Sequence, residues 1–362
     1  MTPYLLVGLV AFAGTFVVTP AVVWLTRKVG AIDHPSDRKV HAHPTPTIGG
    51  SAMLVGMFVA GAAAYTMADF ETVFSTSSQV WGTAVAAVVI FLLGVVDDLR
   101  NLPAPVKLAG QIFASGILFL TGVKMQFILL PTQTISIGDD VSVLITVFWL
   151  VAMMNAVNLV DGLDGLAAGI VAIAASAFFV YTYESPILFA EAAPLMAIII
   201  VGATLGFLRY NFHPARIFMG DSGSMLLGLV LGATTIAGIG NAGTVLSTSD
   251  VFLAYFPLVI PLLVLAIPIA DALLAIVRRA RKRRSVFHAD KEHLHHRLMD
   301  LGHGHRQAVL VMYVWSALAA GAGLAFAFLD SDGVILALPV AVGAIVLYTL
   351  FPVLTKALQS RL

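Results

Sequence analysis

Eleven apolar stretches divide this chain, and a pattern of that kind folds into a bundle of membrane helices. They run roughly over 4–26, 48–68, 80–96, 106–123, 141–157, 165–183, 187–208, 223–240, 251–277, 308–329 and 334–351. Each approaches the ~20 apolar residues that a helix needs to cross the hydrocarbon core of a bilayer. Gly and Pro interrupt several of them, which membrane helices tolerate. Hydrophobic residues make up 59% of the chain and charged residues only 11%, which excludes a soluble globular domain. The expectation is an all-α, polytopic integral membrane protein with about 10–11 transmembrane helices. It forms a single transmembrane domain over residues 1–362, embedded in a lipid bilayer.

The connections between the stretches alternate between two sides, and the charges sort between them. All of the 20 Lys and Arg residues except Lys124 fall on one side. By the positive-inside rule that side is cytoplasmic and the N-terminus is outside. All 10 histidines fall on the same side. Met1-Thr2-Pro3-Tyr4 lacks the basic start of a cleaved signal peptide, so it reads as the beginning of the first span. With no cysteine, disulfide and thiol chemistry are excluded. No nucleic-acid partner is expected. A transporter would place ionisable groups near the bilayer midplane, within broken helices. Here nearly all stand at span ends on one face, which favours one-sided chemistry.

That face carries five polar islands, near 27–47, 97–106, 155–165, 209–222 and 278–307. In the first, Arg38 and Lys39 could meet an anionic group, and topogenic charge is the competing explanation. The second holds Asp97, Asp98 and Asn101, with Lys107 just inside the next span. Adjacent carboxylates at a span end are costly unless cations meet them, so metal binding, proton acceptance and helix capping all remain open. A snorkelling Lys107 could hold a phosphate. The third island, Asn155-Ala-Val-Asn158-Leu-Val-Asp161-Gly162-Leu-Asp164-Gly165, offers oxygen ligands suited to a hard cation; a polar turn is the plain alternative. In the fourth, Asp221 stands between Gly220 and Gly223 at the start of a span, as a metal ligand or an N-cap. If a helix begins there, its first amides form an anion site. The fifth begins with the basic run Arg278–Arg284, read as a topology anchor against anionic lipid. It continues to His293, His295, His296 and Arg297. His293, His296 and Arg297 share one helix face, which suits a clamp on phosphate better than zinc.

No Ser-His-Asp order, Walker loop or dinucleotide fingerprint appears. Oxygen ligands, phosphate-binding cations and imidazoles on one face fit phosphoryl transfer around a divalent cation, with a lipid as one substrate. A non-catalytic scaffold would have no reason to keep that chemistry together.

These motifs, in this order, resemble the polyprenyl-phosphate N-acetylhexosamine-1-phosphate transferases. The resemblance rests on Asp97-Asp98 with Lys107, the Asn155-to-Gly165 stretch, Phe218-x-Gly-Asp221-x-Gly, His293-x-His295-His296-Arg297, and the loop ending Pro44-Thr-Pro-Thr-Ile-Gly-Gly50. It covers nearly the whole chain. Leu294 interrupts the histidines and the spacing from Asp98 to Lys107 is short, so the chain is most similar to the WecA/TagO-like branch rather than to the muramoyl-pentapeptide transferases. The resemblance implies transfer of N-acetylglucosamine 1-phosphate from UDP-N-acetylglucosamine to undecaprenyl phosphate with release of UMP, at the inner membrane of a bacterium. This step starts cell-envelope polysaccharides. It implies Mg²⁺ (or Mn²⁺) on Asp221 with Asn158 close by, and Asp97 and Asp98 lining the reaction site. Lys107 would hold phosphate, and Asp161 and Asp164 would shape the uridine and metal region. His293, His295, His296 and Arg297 would contact pyrophosphate or sugar. Asp97 is the base in one mechanism, an orienting group in another and a nucleophile in a two-step route. Members of the family often form homodimers.

Overall fold

The computed structural model of the chain describes residues 1–33, 44–130, 133–184, 192–239, 258–266, 298 and 303–328, with isolated positions from 339 to 349. The apolar stretches become helices. The first, α1 (Thr2–Val29), carries Pro3 in its first turn, where a missing N–H leaves no hydrogen bond unmade. It ends at Gly30, whose φ of 75° suits glycine. There follow α2 (Gly50–Tyr65), a short α3 (Glu71–Thr76), α4 (Gln79–Arg100), α5 (Ala104–Leu120), α6 (Asp139–Val160), α7 (Leu166–Glu184), α8 (Ala192–Asn211), α9 (Gly220–Ile239) and α10 (His305–Phe328). Every expected span except 251–277 and 334–351 coincides with one of these. Those two lie mostly outside the described residues.

Among the described residues six helices (α1, α4, α6, α7, α8 and α10) are long and apolar enough to cross a membrane. A seventh span follows if α2 is joined to the segment Ala68–Thr76, which leaves it at 97°. The protein is therefore an all-α, multi-pass membrane protein. Two small antiparallel pairs were not expected from the sequence. β1 (Ile32–Asp33) pairs with β2 (Thr45–Pro46), and β3 (Phe127–Leu130) pairs with β4 (Gln133–Ser136). The second pair forms a hairpin between α5 and α6.

Burial sorts the helices. In α7 and α8, 78% and 72% of the spanning window is buried, against 33% in α1, α4 and α10. These two helices form the centre, and small residues make close packing possible. Gly202 of α8 lies against Gly8 and Ala11 of α1, while Gly169 of α7 lies against Tyr313 of α10. Leu9 and Val17 of α1, and Leu144 and Phe148 of α6, are exposed on outer faces, where lipid would meet them. Hydroxyls inside the bundle donate to their own helix four residues back, as Thr182 does to Phe178 O at 2.9 Å and Thr204 to Ile200 O at 2.7 Å.

The polar ends converge. Phe218 N donates to Pro46 O at 2.8 Å, and Gly49 N and Gly50 N donate to Phe218 O and Met219 O at 3.0 and 3.1 Å. This fastens the start of α2 to the start of α9. Gly94 of α4 makes room for the first turn of α9, because a Cβ there would strike the backbone of Ser222. The ends of α4, α6 and α8 and the starts of α5, α7, α9 and α10 thus meet at one end of the bundle.

Candidate active site

Asp221 is the hub. It lies in the first turn of α9, just after Gly220, whose φ is 71°. Lys107 of α5 donates to its Oδ2 at 2.7 Å. The same ammonium pairs with Asp97 of α4. Asn158 of α6 donates through Nδ2 to Asp221 Oδ1 and, at 2.8 Å, to Ser224 Oγ. Residues from four helices, far apart in the chain, meet within hydrogen-bonding distance.

Asp97 is 4% exposed and both its oxygens are engaged: Oδ2 with Lys107, and Oδ1 with the Leu102 N–H at 2.7 Å. Asp98 does something different. Its Oδ1 accepts from Asp221 N at 2.7 Å and its Oδ2 from Ser222 N at 3.2 Å. The first amides of α9 do form an anion site, and the anion they hold is the carboxylate of Asp98. This caps the helix from a neighbour, in place of an N-cap on Asp221 itself. The φ of Gly220 permits the approach, since a Cβ there would stand 2.5 Å from Asp98 Oδ2 and 2.7 Å from Thr47 Oγ1.

The remaining expected residues meet different surroundings. Asp161, between α6 and α7, is partly buried. Burial, and then the carboxylates of Asp221, Asp98 and Asp164, push its carboxyl up to about 7. Asp164 turns toward His213: its Oδ2 lies 2.7 Å from Nδ1 and accepts from Ala215 N at 3.1 Å. Asn155 meets a residue that the sequence reading missed, donating to Gln111 Oε1 of α5 at 2.9 Å. Asn101 closes α4 with φ 50° and donates its N–H to Asp97 O at 2.8 Å. Arg38, Lys39, His293, His295, His296 and Arg297 lie outside the described residues.

Sequence reasoning also passed over Asn211, which ties α8 to the loop before α7 by accepting from Gly165 N at 3.1 Å and donating to Ile217 O at 2.9 Å. Tyr313 donates to Gly165 O. Gln111 carried a legible signal, a lone amide inside an apolar span. Tyr313 carried none.

The donor set around Asp221 suits a hard cation. It consists of the carboxylates of Asp97 and Asp221, the Asn158 amide and the Ser224 hydroxyl. Among the described residues one ammonium faces two carboxylates directly, with Asp161 close enough to be perturbed by Asp221. That leaves negative charge for a dication with oxygen preference. Asn158 presents its NH₂ to Asp221, so it acts here as a hydrogen-bond donor, and it would ligate only by turning its amide oxygen inward.

The fold and the site define a multi-pass membrane protein with a cluster of carboxylates, a lysine and amides at one end of its bundle, and comparison with known proteins supplies the family. The sequence model of glycosyl transferase family 4 matches residues 80–239, which contain this entire cluster. The decaprenyl-phosphate N-acetylglucosaminephosphotransferase of Mycolicibacterium smegmatis is 39% identical over 97% of this chain and 89% of its own. The probable undecaprenyl-phosphate N-acetylglucosaminyl 1-phosphate transferase of Bacillus subtilis is 37% identical over 84% of this chain and 80% of its own. A phospho-N-acetylmuramoyl-pentapeptide-transferase from Desulforudis audaxviator is 31% identical over 90% and 98%. The chain belongs to this family of polyprenyl-phosphate N-acetylhexosamine-phosphate transferases, and it is an enzyme.

Proposed function

We propose that this enzyme transfers N-acetylglucosamine 1-phosphate from UDP-N-acetylglucosamine to undecaprenyl phosphate and releases UMP. We place the reaction at the cytoplasmic face of a bacterial inner membrane, with the N-terminus outside. The observation that carries the reading is the convergence of Lys107, Asp97 and Asn158 on Asp221 at one end of the helix bundle. The relatives named for N-acetylglucosamine match at higher identity than the one named for the muramoyl-pentapeptide. Decaprenyl phosphate is the second reading for the acceptor, favoured by the greater coverage of the mycobacterial relative.

In the proposed reaction an oxygen of the lipid phosphate forms a bond to the sugar-bearing phosphorus. The bond from that phosphorus to the bridging oxygen breaks, and UMP leaves with the oxygen. The acceptor's second pKa is about 6, so it needs no strong base at neutral pH. Asp97 Oδ2 is ion-paired with Lys107 and Oδ1 accepts from the Leu102 amide, which suits an orienting role better than proton removal. Lys107 supplies fixed positive charge beside the diphosphate. Asp221 and Asp97, with Asn158 after an amide turn, would hold Mg²⁺. Bound there, the cation would neutralise the diphosphate as charge moves to the leaving group. Asp98 holds the start of α9 in register for Asp221.

The test measures UMP release by purified enzyme from UDP-N-acetylglucosamine, with undecaprenyl or decaprenyl phosphate, across a Mg²⁺ titration. Release should require both the lipid and the cation. Asp221→Ala should abolish it while the protein still inserts and keeps its thermal transition. Near-wild-type turnover in that variant would remove Asp221 from the centre of the reaction.

A further inference from the structure

A second cluster stands beside the first and is chemically unlike it. Asp164, His213 and His305 each offer a ligand atom, and those atoms lie within 4.8 Å of one another. They come from the loop before α7, the loop after α8 and the first residue of α10. The His213 and His305 rings face each other with centroids 4.0 Å apart and 17° between their planes. His305 Nε2 is buried and, among the described residues, has no hydrogen-bond partner, whereas His213 Nδ1 already meets Asp164 Oδ2 at 2.7 Å. A buried imidazole nitrogen without a partner is a cost that the fold carries unless a ligand meets it.

We propose that Asp164, His213 and His305 form a site for one transition-metal ion of the zinc class, separate from the oxygen-donor centre on Asp221. Two imidazoles and one carboxylate are a donor set that Zn²⁺, Co²⁺ or Ni²⁺ accepts and Mg²⁺ does not favour. Ligand atoms around a tetrahedral zinc stand about 3.4 Å apart, given bonds of 2.0–2.1 Å. The pair at 2.7 Å has to open by roughly 0.7 Å on that geometry. One imidazole also turns about χ2, because stacked rings cannot both aim their lone pairs at one point. Arg306 already anchors this corner, donating from Nε to His213 O at 2.8 Å. A bound ion would pin the three segments together, with three ligands supplied by the described residues.

The experiment uses full-length enzyme in detergent, stripped with chelator and titrated with Co²⁺ while Mg²⁺ in excess occupies oxygen-donor sites. One tightly held equivalent with visible d–d absorption and a raised thermal transition is the expected result. His305→Ala and His213→Ala should each weaken that binding by more than about tenfold and remove the thermal shift. His305→Asn, which keeps a polar group, guards against misfolding; its metal-free transition should match wild type while cobalt binding is lost. No cobalt retained by wild type overturns the site. So does binding that survives all three variants but fails in a variant lacking His293, His295 and His296, or in Asp221→Asn. None of these readouts depends on turnover, so the metal site and the transferase reading fail separately.

Discussion

Asp97 and Asp98 are neighbours in sequence that the fold gives different work. Successive residues on a helix point about 100° apart, so one carboxylate turns to Lys107 and the other to the amides of α9. Their substitutions should separate cleanly. Asp98→Ala leaves the amides of Asp221 and Ser222 without their acceptor and should cost about 1–3 kcal/mol of stability. Turnover should fall with it, because Asp221 rides on that turn. Asp97→Asn keeps the shape and an acceptor for the Leu102 amide, and Lys107 keeps Asp221. It should leave the thermal transition nearly unchanged and lower UMP release by tenfold or more, about 1.4 kcal/mol in the barrier. Thermal unfolding and UMP release measured side by side decide the matter: equal loss of stability in both variants would contradict this division. The sequence showed that two carboxylates sat at a span end. Which one would cap a helix could not be read there, because the capped helix begins more than a hundred residues later.

The start of α9 is the element on which the site turns, and it rests on three glycines. Gly94 lets α4 approach Ser222, Gly50 lets α2 approach Gly223 (a Cβ would stand 2.5 Å from its backbone nitrogen), and Gly220 takes φ 71° beneath Asp98. Gly220→Ala meets both a left-handed backbone and a carboxylate oxygen 2.5 Å from the new Cβ. The backbone penalty alone is about 1–2 kcal/mol, and displacement of Asp98 adds to it. The variant should insert, melt at lower temperature and lose most of its UMP release; wild-type activity would mean that the turn does not fix Asp221. Helix positions were legible because bilayer-length apolar runs carry one dominant period-independent signal. The hairpin Phe127–Ser136 was not, since Phe-Ile-Leu-Leu reads as apolar in either conformation. The right-angled break after α2 was hidden for the same reason: Met67-Ala-Asp-Phe looks like the end of a span, not the start of another helix.

At the scale of the molecule, the one-sided gathering of polar groups and the sorting of Lys and Arg are independent lines that meet. The first comes from contacts: the ends of α4, α6 and α8 and the starts of α5, α7 and α9 share hydrogen bonds. The second comes from composition alone, and by the positive-inside rule it predicts that the same end faces the cytoplasm. That Asp97, Lys107, Asn158 and Asp221 stand at one end was legible as islands on one face, whereas the hydrogen bonds among them required the bundle to be closed. The orientation follows as a prediction that the chain is well suited to test, because it contains no cysteine. A single cysteine therefore reports without background. Ser75 is exposed in α3, at the end of the bundle away from Asp221, and Lys28 is exposed near the end of α1, on the side of the site. In intact cells a membrane-impermeant maleimide should label Ser75→Cys at once and should reach Lys28→Cys only after permeabilisation. Neither substitution touches the carboxylate cluster, so both variants should keep releasing UMP. The reverse labelling pattern would put Asp221 and its partners outside, where a cytoplasmic sugar nucleotide could not reach them, and the proposed reaction would lose its donor.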